Sequence, residues 1–549
     1  MTAIGAATGA DSVSANGKDI PHARGAAGDA VQADRSLPPT TQIVFQFPIA
    51  SGHVNPALSI AQQLSQIPDV DVHFLVSAQL KDAVEAVGAT FHDEVHWQPE
   101  FFTAGPGETE FEAAKRHMYE AGFAELPSPP SIICEFRMMR YFRTAKRVPG
   151  TVRFLEHIGA SAVVYDPILA GESLIAARYL NLPTVALLTV AGPGCLESLQ
   201  TEADDAWYRE NAPRFQPLIE AVTEVNETYG VQPQMPLIEK FTLLDTFSAE
   251  TVVTTIEYLA DPCSEEFIKA LADQGSNLHY VGPLLDGQTQ VGTNLAVVKK
   301  KPAADQGSVP DEMSLIEKVR AAKKRGARVL YASLGTVITS SVPTVGWEAR
   351  MPLPNSVGGG HDVLTISGKE LCQSAWRAVF ENFGIADGAD SEPGDSEWLI
   401  VVSIGSQPDA LDGISVPRNA VCEQSVPQVQ LLNEGVDLFL THGGQNSFME
   451  AMSCGTPIVV CPGFADQPMN AAKAESIGVG LKVDRAPQGQ ESKYQRDVAA
   501  ALRAVADDEG TFAVNAQKVA KMIAESHGMQ AAVSVILNTV RGPTLLSNQ

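Results

Sequence analysis

The sequence predicts an α/β protein made of two Rossmann-like doubly wound domains facing each other across a cleft. Three observations carry this. Short apolar runs alternate with amphipathic stretches of helical spacing, the alternation occurs twice, and a polar segment (286–312) with Gly, Pro and a lysine run divides the two series. Runs that are apolar throughout, rather than at every second residue, indicate parallel strands covered by helices on both faces. Two such sheets in tandem open a cleft at the carboxyl ends of their strands, where ligands of these folds bind.

The elements follow in order. Residues 1–38 are rich in Ala, Gly, Ser and Asp and are expected to form a disordered tail. They hold no apolar run of signal-peptide length, and Asp11, Asp19 and Asp29 argue against a transit peptide. The first domain is placed at 39–285. It opens with QIVFQFPIA (42–50), which leads into HVNPALSIAQQLSQI; VDVHFLVS (70–77) follows with a helical KDAVEAVGA. SAVVYDP (161–167) precedes GESLIAARYL, and TVALLTV (184–190) ends in AGPG. After the linker 286–312, the second domain (313–535) repeats the pattern with RVLYASLG, EWLIVVSIG, NAVCEQS, VDLFLTHGG and GTPIVVCPG, leaving a tail at 536–549. Residues 340–368 do not fit this scheme. Strand-to-helix loops run to about 2–6 residues, so this is an insertion: a lid, an acceptor wall, an oligomer contact or a tolerated surface excursion. The acidic run 387–397 reads as a solvated loop.

Composition narrows the function. A formal charge of −26 excludes nucleic acid and an anionic membrane surface as partners, since both require a basic face. Seven cysteines without paired spacing indicate reduced thiols in the cytoplasm rather than a disulfide framework or zinc site. No run approaches the ~20 apolar residues of a spanning helix, so a soluble protein is expected.

The chemistry concentrates at strand ends. In THGGQNSFMEA (441–451), His442 ends a strand, Gly443 and Gly444 permit a tight turn, and Asn446 and Ser447 fall at the start of a helix. Outward-pointing N–H groups and the positive end of the helix dipole make such a start an anion site. Glu450, one turn on, would repel phosphate but accept bonds from a ribose diol. A capped, purely structural turn explains the same residues about equally well. Downstream, Asp466 and Gln467 at the next strand end suit the hydroxyls of a sugar ring, or cap the helix near Pro468. In the first half, His53 and Asp166 both lie at strand ends of one sheet. An imidazole oriented by a carboxylate is a competent general base for a hydroxyl nucleophile.

Together SGHVNP (51–56), VVYD (163–166), VGPLL (281–285), YASLGT (331–336), VPQVQLL (426–432), THGGQNSFMEA and PGFADQP (462–468) resemble the UDP-glycosyltransferase superfamily of GT-B fold, over roughly residues 42–535. The resemblance implies an inverting transfer of a hexose, glucose by preference, from a UDP-sugar to a hydroxyl of a small lipophilic acceptor. It implies His53 as base with Asp166 behind it. His442, Gly443, Gly444, Asn446, Ser447, Ser333, Gly335 and Thr336 would hold the diphosphate, Glu450 the ribose, and Asp466 with Gln467 the sugar. Ser425, Val426 and Gln428 would border the nucleobase. No cofactor or metal is expected, although Asp69-Val70-Asp71 spells a DxD motif, and a monomer is expected. Ser425 and Gln445 stand where plant members carry tryptophan, which leaves UDP against dTDP open. Sequence features leave standing an epimerase or lipid-carrier transferase of the same fold, and a catalytically silent nucleotide-sugar binder.

Overall fold

A computed structural model describes residues 40–98, 105, 108, 110–127, 132–199, 201–230, 247–285, 313–342, 344–352, 364–385 and 396–542. The expected tail 1–38 and linker 286–312 lie outside these residues, as does most of the acidic run 387–397.

Among the described residues, two parallel sheets form the framework. The first has seven strands: β1 (Thr41–Gln46), β2 (Val70–Val76), β3 (Thr90–Asp93), β4 (Ala162–Tyr165), β5 (Thr184–Leu188), β6 (Glu250–Val253) and β7 (Asn277–Tyr280), in the order β3-β2-β1-β4-β5-β6-β7. The second has six: β8 (Arg328–Ser333), β9 (Trp398–Ser403), β10 (Ala420–Glu423), β11 (Leu438–Thr441), β12 (Ile458–Val460) and β13 (Gly480–Lys482), in the order β10-β9-β8-β11-β12-β13. Every pairing is parallel. The strand order reverses between β1 and β4 in one sheet and between β8 and β11 in the other. Those reversals open the crevices that bind ligands in open α/β sheets.

The apolar runs became strands for the reason their pattern implies. Residues 43–46 of β1, all of β4 and all of β11 are buried, with helices packed over both faces. The strands that the sequence pattern does not mark, β3, β6, β7 and β13, are short, and β3 and β7 are mostly half-exposed. At a sheet edge the apolar signal fades because one flank has no neighbour to bury it.

The expected boundary at 535 is corrected. The helix Gly528–Arg541 runs through it, and its Met529, Ala532 and Ile536 lie in the core of the first sheet with Val164, Val185 and Val252. The chain therefore crosses back, and this helix, the last among the described residues, packs on the first lobe rather than the second. The two crossing segments touch: a Cβ at Gly282 would stand 2.5 Å from Ser526 Oγ.

The described parts of the 340–368 insertion are built into the second lobe. Trp347 and Ile366 are buried with Trp376 in its core. Arg485 donates to the carbonyls of Ile366 (2.8 Å) and Ala349 (2.9 Å), and Arg350 pairs with Glu370 at 2.6 Å. These contacts describe a brace of the lobe, a role not among the readings the sequence left open.

Candidate active site

His53 is in the first turn of the helix Ser51–Leu64, which follows β1, and Asp166 directly follows β4. Because β1 and β4 are neighbours in register, Gln46 opposite Tyr165, their carboxyl ends bring the two side chains together. His53 Nδ1 is 2.6 Å from Asp166 Oδ2. The other carboxylate oxygen accepts the amides of Ile168 (2.8 Å) and Leu169 (2.7 Å), so both Asp166 oxygens are held. Nδ1 donating to Asp166 leaves Nε2 as the proton acceptor. Burial alone would lower the His53 pKa, but the charge and hydrogen bond of Asp166, joined by the charge of Asp466, raise it above its ordinary value.

Thr189, just beyond β5, places its hydroxyl 3.1 Å from the same Nδ1. Sequence reading missed it. The available signal was its place at the end of TVALLT, but only the adjacency of β5 to β4 makes that place significant.

In the second lobe, β8 and β11 are the corresponding neighbours, with Ser333 opposite Thr441. The His442 ring is wedged between backbones. A Cβ at Gly335 would stand 2.5 Å from its Nε2, and one at Gly444 would stand 2.6 Å from it. Gly335 (φ 81°) and Gly443 (φ 79°) also adopt the left-handed conformation that glycine tolerates best. Burial, opposed by the Ser333 backbone, lowers the His442 pKa to about 4, so the ring is a neutral hydrogen-bonding group at physiological pH.

The helix Gln445–Ser453 begins beside this ring. Its first amide, Gln445 N–H, donates to Asp466 Oδ2 at 2.7 Å. Asp466 thus caps this helix rather than its own, for which it makes no side-chain cap. Burial is the largest influence on Asp466 and raises its pKa to about 6. The residue before it, Ala465, is itself left-handed (φ 55°), an unfavourable state for alanine that this loop holds in place. Gln467 turns its carbonyl oxygen to the amides of Gly463 (2.7 Å) and Phe464 (3.2 Å). Gln445, the departure noted in the sequence, is 5% exposed, and its carboxamide has no partner among the described residues.

Gln428, expected beside a nucleobase, is found holding Glu450. Its amide donates to Glu450 Oε2 (2.5 Å) and Ser447 Oγ (2.9 Å), while its oxygen accepts Tyr331 O–H at 3.0 Å. Burial raises the Glu450 pKa to about 7 despite the Gln428 bond. Ser425 is exposed, Val426 buried.

The lobes meet at these loops. Asn446 Nδ2 donates to the Gly52 carbonyl at 3.0 Å, and the hydroxyls of Ser51 and Thr336 are 3.4 Å apart. The Asn446 amide expected on a phosphate is thus engaged with the His53 turn. Asp69 and Asp71 of the DxD stretch lie at the amino end of β2, where Asp69 pairs with Arg541 (2.9 Å) and Asp71 accepts from Gln42 (2.9 Å). Among the described residues, no cluster of three metal-ligating side chains is present.

The profile of a family described as "UDP-glucoronosyl and UDP-glucosyl transferase" matches residues 396–524, the part of the second lobe that holds His442, Glu450 and Asp466. The NDP-glycosyltransferase YjiC of Bacillus subtilis is 32% identical over 26% of this chain, an alignment spanning about a third (34%) of that protein's length. The uncharacterized UDP-glucosyltransferase YdhE of the same organism is 24% identical over 81% of this chain and 86% of its own. Among solved structures, the calicheamicin glycosyltransferase CalG4 superposes with a TM-score of 0.56 at 17% identity, covering 93% of this chain and all of that one, a likeness of fold. Among the described residues, no helix is long and apolar enough to cross a membrane.

Proposed function

We propose, for a chain that belongs to the UDP-glycosyltransferase superfamily and has its GT-B fold, that it transfers a hexose, glucose as first candidate, from a UDP-sugar to a hydroxyl of a small lipophilic acceptor with inversion. The observation that carries this reading is the 2.6 Å His53–Asp166 pair, standing close enough to Asp466 of the other lobe for the two to interact electrostatically. A base for the acceptor thus faces the loop assigned to the sugar.

His53 Nε2 removes the acceptor proton, and the oxygen attacks the anomeric carbon. The bond from that carbon to the diphosphate oxygen breaks, and UDP carries away the electron pair. Asp166 stabilises the imidazolium that forms. Charge gathering on the diphosphate is met by His442 and the N–H groups where the helix Gln445–Ser453 begins. Ser333, Gly335 and Thr336 approach from the facing strand end, Asn446 and Ser447 from the helix, and Glu450, held by Gln428, receives the ribose. Asp466 and Gln467 bind the sugar, and Asp466 does so from a position already fixed by the Gln445 amide. The acceptor class is supported by the apolar group beside the base: Ile168, Leu169, Val190 and Phe136 pack in one cluster, and two of them supply the amides that hold Asp166.

Screening UDP- and dTDP-sugars against phenolic, sterol and macrolide acceptors with mass-spectrometric detection tests the reading. A glycosylated product with UDP-glucose is expected; absence of any product across the panel removes it.

Two further outcomes are expected. His442→Ala lowers UDP affinity, measured by calorimetry, about 10- to 100-fold, the value of a hydrogen bond to a charged group; unchanged affinity reassigns the ring to turn structure. The pH profile follows from His53. The base works unprotonated and its folded pKa is raised, so kcat/KM falls as pH drops through a midpoint above the ordinary 6.5. A midpoint below 6.5 contradicts the pairing.

A further inference from the structure

A buried ion pair joins the two lobes away from the residues already assigned. Lys473 Nζ is 2.7 Å from Asp261 Oδ1, and the side chains are only 11% and 7% exposed. Lys473 belongs to the helix Gln467–Ser476, which starts at the proposed sugar loop. Asp261 belongs to the first lobe, shortly after β6, and its second carboxylate oxygen is buried without a partner among the described residues.

What lies behind each partner gives the pair its meaning. The Asp261 amide donates to the Ala191 carbonyl at 2.7 Å. Ala191 is two residues beyond Thr189, whose hydroxyl touches His53 Nδ1. The approach is close: a Cβ at Gly194 would lie 2.5 Å from the Asp261 carbonyl oxygen. On the other side, Asn470 bridges the Lys473 helix to the Gly443 carbonyl at 2.9 Å. A short path of contacts therefore runs from the turn carrying His442, through Lys473 and Asp261, to the loop bracing the base.

We propose that Asp261 and Lys473 are positioning residues that set the base-bearing lobe against the donor-bearing lobe, so that His53 faces the anomeric carbon. The proposal rests on the glycosyltransferase reading for its consequence, but not for its geometry. Apolar contacts, such as Ile256 and Leu259 in the core beside β8 and β11, hold the lobes together without fixing direction. A charge pair withdrawn from water pins one point of each lobe to the other, because parting it would strand a buried charge, and misplacement of reacting groups by about 1 Å costs up to roughly a hundredfold in rate.

The experiment uses the full chain and the double neutral variant Asp261→Asn/Lys473→Met, which removes the pair without stranding a buried charge. Lys473→Arg serves as the conservative rescue. The double variant is expected to lower kcat for the pair found in the screen by roughly 10- to 100-fold, with UDP affinity held within about twofold. Its radius of gyration from small-angle X-ray scattering should exceed that of wild type, and Lys473→Arg should recover most of the rate. Wild-type kcat and wild-type scattering in the double variant overturn the proposal; so does a loss of UDP affinity equal to the loss of kcat, which would place the pair in donor binding. If wild type neither binds UDP nor transfers sugar, the glycosyltransferase reading fails, and the scattering comparison still decides whether the pair sets the lobes.

Discussion

His53→Ala is expected to lower the transfer rate about 10²- to 10⁴-fold, the usual contribution of a positioned general base, while UDP still binds with wild-type affinity. The separation follows from the architecture. His53 projects from the helix after β1 in the first lobe, whereas the residues assigned to the nucleotide sit at or beyond the ends of β8, β10 and β11 in the second. Removing the imidazole leaves His442, Gln428 and Glu450 in place. The measurements are single-turnover transfer and calorimetry with UDP on the same preparation. Retention of full transfer removes His53 as the base, and loss of UDP binding in proportion to rate makes it a donor ligand instead.

Asp166→Asn should cost about 10³- to 10⁴-fold in kcat, because it traps the wrong tautomer. An asparagine there must still accept the amides of Ile168 and Leu169 through its oxygen. Its NH2 then faces His53 Nδ1, which has to accept, so the proton moves to Nε2, the atom that must take the acceptor's proton. The flipped amide would aim two donors at two donors. With the carboxylate gone, burial acts on His53 with less opposition, so any residual activity titrates at lower pH than wild type. The combined His53→Ala/Asp166→Asn variant should be little worse than His53→Ala alone, since the carboxylate acts through the ring. A defect in donor affinity with kcat preserved would move Asp166 out of the base pair.

Both predictions could be framed from residues legible in the sequence, because strand ends are legible. β1, β4, β8 and β11 each hold a buried apolar run, and the chain just beyond or at their ends carries His53, Asp166, Ser333 and the His442 glycine turn, residues that such a run cannot absorb. The second lobe read more clearly than the first because its turn glycines are forced: Gly335 and Gly443 are left-handed, and Gly335 and Gly444 leave room only for the His442 ring. The half-exposed edge strands β3 and β7 left little trace, since an edge strand buries too little to need an apolar run. The end of the second domain was misplaced because the helix Gly528–Arg541 has the same amphipathic spacing whichever sheet it covers.

What the sequence determined by itself is the set of chemical groups and the strand ends that carry them, because burial dictates period and turns dictate glycine. What only the tertiary structure decided is which groups share a neighbour. Thr189 meets His53 because β5 lies beside β4, and Asp466 caps the helix of another strand. Gln428 is spent on Glu450, and Lys473 finds Asp261 in the opposite lobe, 212 positions away in the chain numbering. Such pairings depend on strand order and lobe closure, and local periodicity carries no record of either.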